Sequence, residues 1–244
     1  MPCEKYNGTE VIRLFYGFDS TWLLILPGLL LAWWAQHMVN RAFNDFSQIP
    51  SRGGWTGAAM ARRMLDANGL QNVRIEAAAG NLTDNYNPRS QTLNLSQGVH
   101  SSTSLAALGV AAHEVGHAVQ HGRHYAPMAL RSALVPVANI GSYAAWPLLL
   151  AGLLFSFTPL VYAGIFVFAF AVLFQLVTLP VEFNASRRGL RMLAEGGYLS
   201  DEEVAGARRV LTAAALTYLA ATLMAVLQFL RLLLIANGGR RRND

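Results

Sequence analysis

The sequence predicts a mainly α membrane protein, with about four transmembrane helices and a small α+β domain inserted after the first of them. Three observations carry that expectation. The 244 residues are 53% hydrophobic and only 14% charged, with a mean hydropathy of +0.31, which is too apolar for an ordinary soluble domain. Residues 20–40, 132–181 and 210–230 contain no Asp, Glu, Lys or Arg, and each is long enough to span a bilayer, the middle one twice. Residues 41–131 are polar enough to fold in water, with turn and cap residues of their own.

Taken in order, the chain divides into an N-terminal segment 1–19, a first span 20–40, a small domain 41–131, a transmembrane hairpin 132–181, a helical segment 182–209, a last span 210–236 and a basic tail 237–244. The first block lacks the basic start, short apolar core and small-residue cleavage site of a signal peptide. It is expected to persist as a span, with Trp22, Trp33 and Trp34 as interfacial anchors. In the small domain, Thr56 among Gly53, Gly54 and Gly57 caps a helix that runs through Asn68 and closes at Gly69. Residues 73–77 and 92–95 read as short strands on either side of a loop at 80–90. Ser102 or Thr103 caps the next helix, which stops at Gly122.

The hairpin turns near residues 155–159, where Ser156, Thr158 and Pro159 interrupt the apolar run. Pro180 lies at the end of the third span, and residues 182–193 are helical until Gly196 and Gly197 break the pattern. Ser200 with Glu203 forms a capping box for a helix that runs through Arg208 and Arg209 into the last span.

The second helix of the small domain carries the run His113, Glu114, Val115, Gly116, His117. On a helix, positions i and i+4 share a face, so both imidazoles reach one Zn²⁺ while Glu114 turns toward the water such a metal activates. Helix, short sheet and metal helix in that order make the domain zincin-like. A catalytic zinc normally takes a third protein ligand and keeps one open position. The downstream Gly and His of a metzincin are replaced by Gln120 and Arg123, so that pattern fails. His121 is two turns from His113, too far along the axis, and reads as a helix C-terminal histidine; His124 lies beyond Gly122. Among later carboxylates Glu182 is the best placed, because two crossings return the chain to the side of the metal helix. Its alternative reading is a solvated carboxylate at a helix N-terminus. Glu195, Glu202 and Glu203 are competitors that look like surface charge.

Composition excludes several other functions. A single cysteine, Cys3, rules out an internal disulfide and any thiolate metal site within one chain. The net charge of +5 and pI near 9.7 do not indicate nucleic acid, because the arginines border the apolar blocks and no basic run is interleaved with aromatics. Arg41, Arg52, Arg62, Arg63, Arg123, Arg131, Arg187, Arg188, Arg191, Arg208 and Arg209 all fall on one side of a four-span topology, and that side is expected to be cytoplasmic. The tail arginines at 240–242 do not fit that count. A transporter would need ionisable groups inside the spans. Asn139, Gln175 and Arg231 are the notable polar residues there, too sparse for a pathway, and Asn139 reads as an interhelical hydrogen bonder.

Several stretches together carry a family resemblance: FYGFDSTWLLILPGLLLAWWAQ, TGAAMARRMLDANGL, GNLTDNYNPRSQTLNLS, AALGVAAHEVGHAVQH, YAPMALRSALVPVANIGS and LPVEFNASRRGL. In these the chain resembles the YugP-type neutral zinc metallopeptidases, membrane proteins of bacteria, over nearly its full length. The resemblance implies His113 and His117 as zinc ligands, Glu114 as catalytic acid and base, and Glu182 as third ligand, similar to membrane gluzincins in which a later E-x-x-x-D supplies the glutamate. The chain departs from that pattern: Ser186 stands where the aspartate would be, and Asn184 where many related chains are expected to have Asp.

The implied function is a membrane-embedded zinc metalloendopeptidase acting on membrane or membrane-proximal proteins in the cell (inner) membrane, with the lipid bilayer as its setting and no nucleic-acid partner. Tyr86, Tyr125 and His124 are candidate donors to the developing oxyanion. The strand at 92–95 is expected to offer an edge to an extended substrate, with Asn81, Asp84, Asn87 and Pro88 at the rim. The alternative is a non-catalytic membrane scaffold that retains a zincin shell; Glu114 argues against it, since a structural site has no use for that carboxylate.

Overall fold

A computed structural model of the chain describes residues 21–238. The N-terminal segment with Cys3 and the tail arginines therefore lie outside the described residues. The chain is mainly helical, with one small sheet, in the order α1 (Trp22–Ser47), α2 (Gly57–Ala67), β1 (Arg74–Ala78), β2 (Asn85–Asn87), β3 (Thr92–Ser96), α3 (Gln97–His100), α4 (Leu105–Gly122), α5 (Ala126–Leu154), α6 (Thr158–Glu195) and α7 (Asp201–Gly238). Four of these, α1, α5, α6 and α7, are long and apolar enough to cross a membrane. Large apolar side chains such as Leu30, Trp33, Ile140 and Phe166 are exposed on them. Such faces suit lipid and would be costly in water.

Two compact units account for the contacts, and each has its own core. Among the described residues, one comprises 21–33, 130–177 and 219–238, the other 34–129 and 178–218. The first packs Leu149, Val161, Ile165, Leu232 and Ala236 together. The second gathers Met60, Met64 and Leu65 of α2, Leu93 and Leu95 of β3, Leu108 and Val115 of α4, and Val181 and Leu193 of α6.

Local sequence explains the elements of the second unit. Thr56 caps α2 by accepting from the Ala59 N–H at 3.2 Å, and Gly69 takes the left-handed conformation (φ 75°) that lets the chain turn away after Asn68. Helix α4 is buried on nearly every side, because Ala and Gly leave room for neighbouring backbones all round it. Its cap is Ser104, whose hydroxyl accepts from the Ala107 N–H at 3.3 Å, one and two residues beyond the expected Thr103 and Ser102. Ser102 instead accepts from the Ser104 N–H, fixing the turn that leads into the helix.

The sheet corrects the expected edge. Strand β3 is central, pairing parallel with β1 (Ile75 opposite Leu93) and antiparallel with β2 (Tyr86 opposite Leu93). The residues 92–95 thus have no open edge; the outer strand on that side is β2, inside what reads in the sequence as a loop. Asn85 and Asn87 are poor strand formers, and tertiary pairing overrides their preference. The third span and the helical segment expected after Pro180 form one helix. Helix α6 continues through Pro180 to Glu195, since one missing N–H is tolerated where the flanking turns keep their bonds. Glu203 is no surface charge: it is buried, accepting from the backbone N–H of Ser200 at 2.8 Å and of Arg52 at 2.7 Å. Asn139 is exposed and, among the described residues, forms no hydrogen bond to another helix.

Candidate metal centre

Helices α4 and α6 meet at unusually short range because each presents a glycine to the other's backbone. A Cβ on Gly116 would collide with the Ala185 carbonyl oxygen, and one on Gly189 would lie 2.6 Å from that of Ala112. This close approach carries Glu182, one turn before Ser186, onto the histidine face of α4. Three donor atoms then converge: His113 Nε2 and His117 Nε2 are 3.2 Å apart, and Glu182 Oε2 lies 3.2 Å from the first and 3.5 Å from the second. The group can hold a metal ion. Donors about 2.0–2.1 Å from a tetrahedral zinc stand about 3.3 Å from one another, so the triangle has the edge lengths such an ion imposes.

The other ring nitrogens are also engaged. His117 Nδ1 lies 3.0 Å from Gln120 Oε1, while Gln120 Nε2 donates to the Val181 carbonyl at 2.8 Å and to Asn184 Oδ1 at 3.1 Å. Because the amide nitrogen is committed to two acceptors, Oε1 must accept; His117 Nδ1 carries the proton, and its Nε2 lone pair faces the triangle. His113 Nδ1 stands 2.9 Å from Ser186 Oγ. Ser186, which stands at the aspartate position of the E-x-x-x-D pattern, is thus within hydrogen-bonding distance of the His113 ring. Asn184 supports Gln120 and is itself held by Arg188 Nε at 2.7 Å.

Glu114 is buried beside this triangle. Burial pushes its carboxyl up to about 7. The adjacent His113 opposes the rise, the carboxylates of Glu182 and Asp84 add to it, and a hydrogen bond from the Tyr86 backbone N–H works against it. A cavity of about 150 Å³ opens on Glu114, His113 and Glu182, and its remaining wall is Leu82, Asp84, Val110, Ser186, Leu211, Ala214, Ala215 and Tyr218.

The structure brings together His113, Glu114, His117 and Glu182. It sets Glu195 and Glu202 apart, on exposed ion pairs with Arg191 and Arg52. None of the three expected oxyanion donors lines the cavity. The Tyr86 hydroxyl is 2.8 Å from His121 Nδ1, Tyr125 lies under the Arg188 guanidinium, and His124 sits just past α4 in the left-handed region. Tyr218 does line it, and sequence reasoning missed it because it is embedded in the apolar run of α7. Gln120 was missed as a supporting residue; its place one turn after His117 on the same helix is the signal that points to it. Of the expected rim only Asp84 lines the cavity, joined by Leu82; Asp84 is fixed by the Ser96 backbone N–H at 2.8 Å.

A family model described as "Putative neutral zinc metallopeptidase" matches residues 21–237. The chain is 43% identical over 220 residues to "Putative membrane protease YugP" of Bacillus subtilis (strain 168), covering 90% of this chain and 98% of that protein. No solved structure matches.

Proposed function

Since the chain belongs to the neutral zinc metallopeptidase family, we propose that it is a membrane-embedded zinc metalloendopeptidase that cleaves membrane or membrane-proximal proteins, with His113, His117 and Glu182 as the metal ligands and Glu114 as the catalytic acid and base. The observation that carries this reading is the donor triangle with a buried carboxylate beside it. The small domain and the helices closing on it form a zincin-like arrangement, although the substrate-side strand is β2.

Zinc, when bound, lowers the pKa of a water and polarises the scissile carbonyl. The protein does the rest. Gln120 and Ser186 accept from the two Nδ1–H groups and so present both Nε2 lone pairs to one point. Glu114 takes a proton from the attacking water as its oxygen bonds to the carbonyl carbon, and delivers it to the amine nitrogen as the C–N bond breaks. Its raised carboxyl suits this alternation, since a group poised near neutrality both accepts and releases a proton. The Tyr218 hydroxyl donates to the carbonyl oxygen as charge develops there. The substrate runs extended along the outer edge of β2, where pairing through main-chain groups relaxes sequence preference.

Leu211, Ala214, Ala215 and Tyr218 come from the apolar helix α7, and with Leu82 and Val110 they give the cavity a wall suited to an apolar side chain next to the scissile bond. A site walled by a candidate span supports a substrate drawn from the bilayer or its border.

Purified wild-type protein and a Glu114→Gln variant, compared for zinc content and for cleavage of an unfolded membrane-protein substrate, test the reading. Both should bind about one zinc per chain, and the variant should lose cleavage by at least about 10²-fold. Undiminished cleavage by Glu114→Gln would reject a hydrolase working through this residue and leave the scaffold reading.

A further inference from the structure

Arg231 is the one charged side chain within the apolar part of α7, and the proposed protease chemistry makes no use of it. The residue is 7% exposed. Its guanidinium lies 4.2 Å over the Trp22 ring, and Nε donates to the Thr21 hydroxyl at 3.1 Å. A guanidinium is always charged and has five N–H donors. Among the described residues no carboxylate pairs with it. Within the described residues this buried cation is satisfied by one hydroxyl and one aromatic face, without the counter-charge that such a group requires.

Beside it is a cavity of about 250 Å³, separate from the metal centre, in which Arg231 and Gln228, one helical turn earlier, are the polar lining. The remaining wall is apolar, from Trp146, Leu149 and Leu153 of α5, Val161 of α6 and Leu232 of α7. The ligand this shape accepts is amphiphilic: one anionic group for the guanidinium and the Gln228 amide, and a hydrocarbon part for the wall. A soluble anion would satisfy the first and leave the second empty. All four candidate membrane helices border the cavity or its arginine, and Trp22 has the amphipathic character of a headgroup-level anchor.

We propose that this cavity binds an anionic phospholipid, with its phosphate on Arg231 and Gln228 and an acyl chain along the apolar wall. Arginine is suited to the phosphate because its planar fork donates two parallel hydrogen bonds. The site stands on the membrane reading of the four helices and is independent of the hydrolase reading.

The test uses the full chain purified in a neutral detergent, with the thermal midpoint followed on addition of dioleoyl phosphatidylglycerol, dioleoyl phosphatidylcholine or inorganic phosphate. Phosphatidylglycerol should raise the midpoint well beyond phosphatidylcholine at equal mole fraction, and inorganic phosphate should leave it unmoved. Arg231→Gln should abolish the difference between the two lipids. Leu153→Trp, which fills the cavity and keeps the guanidinium, should do the same and serves if the first variant does not fold. Equal shifts with both lipids, or a phosphatidylglycerol shift that survives in the variants, would overturn the proposal. So would a shift with inorganic phosphate alone, which would assign the arginine to a soluble anion.

Discussion

At the scale of single residues, the proposed centre depends on which atom of each ring is left free for a metal ion, and Gln120 decides this for His117. Its amide nitrogen is held by the Val181 carbonyl and Asn184 Oδ1, so its oxygen has no role except to accept from the ring. Replacing Gln120 with Leu removes that acceptor while keeping bulk, and zinc affinity measured by chelator competition should fall by about 10–100-fold. Ser186→Ala should act in the same direction at His113, whose ring is less enclosed. Glu182→Ala should leave the protein without stoichiometric zinc; full occupancy in that variant would remove Glu182 from the ligand set. The sequence made the two histidines and Glu114 legible because their relation is local, set by helical period. Glu182 was favoured by topology and family resemblance, since nothing near it in the chain distinguishes a ligand from a solvated carboxylate. Tyr218 was not legible at all: an aromatic inside an apolar helix has the same pattern whether it lines a cavity or a core.

The critical feature among the elements is the glycine-mediated crossing of α4 and α6. Ala in place of Gly116 or Gly189 would push backbone against backbone, where no side-chain rotation relieves the contact. Overpacking of this kind costs about 1–3 kcal/mol, and it should also separate Glu182 from the histidines. Both variants should lower the thermal midpoint and lose zinc, whereas Gly98→Ala, where an added Cβ meets nothing within 4 Å, should do neither. A Gly116→Ala protein with unchanged zinc affinity would show that the crossing does not position the site. Elements with strong periodicity or clear caps, such as α2 with Thr56 and Gly69, were readable from sequence. Strand β2 was not, because Asn-Tyr-Asn is turn-forming by itself and becomes a strand only through its pairing with β3. With β2 as the outer strand beside β3, the proposed substrate edge is on β2 and not on residues 92–95.

For the molecule as a whole, four apolar helices and the relative's name agree on a membrane protein. The arginine distribution supports a cytoplasmic metal centre in the cell membrane as part of the proposed function. In a Cys3→Ser background, Ser101→Cys should react with a membrane-impermeant maleimide only after the cells are opened; labelling of intact cells would place the site outside. Because the proposed ligands come from two helices far apart in sequence, bound zinc would also tie folding to metal. Chelation should lower the thermal midpoint of the wild type, and should barely move that of Glu182→Ala. The four spans were legible because length and lack of charge suffice for them, whereas the packing that joins α4 to α6 depends on two glycines whose partners no local pattern reveals.

X-ray absorption at the zinc edge of the purified full-length protein tests the central claim most directly. The account predicts two imidazole nitrogens and carboxylate or water oxygen at about 2.0–2.2 Å, with no sulfur. A shell with one imidazole or none, or a protein that takes up no zinc, would contradict it.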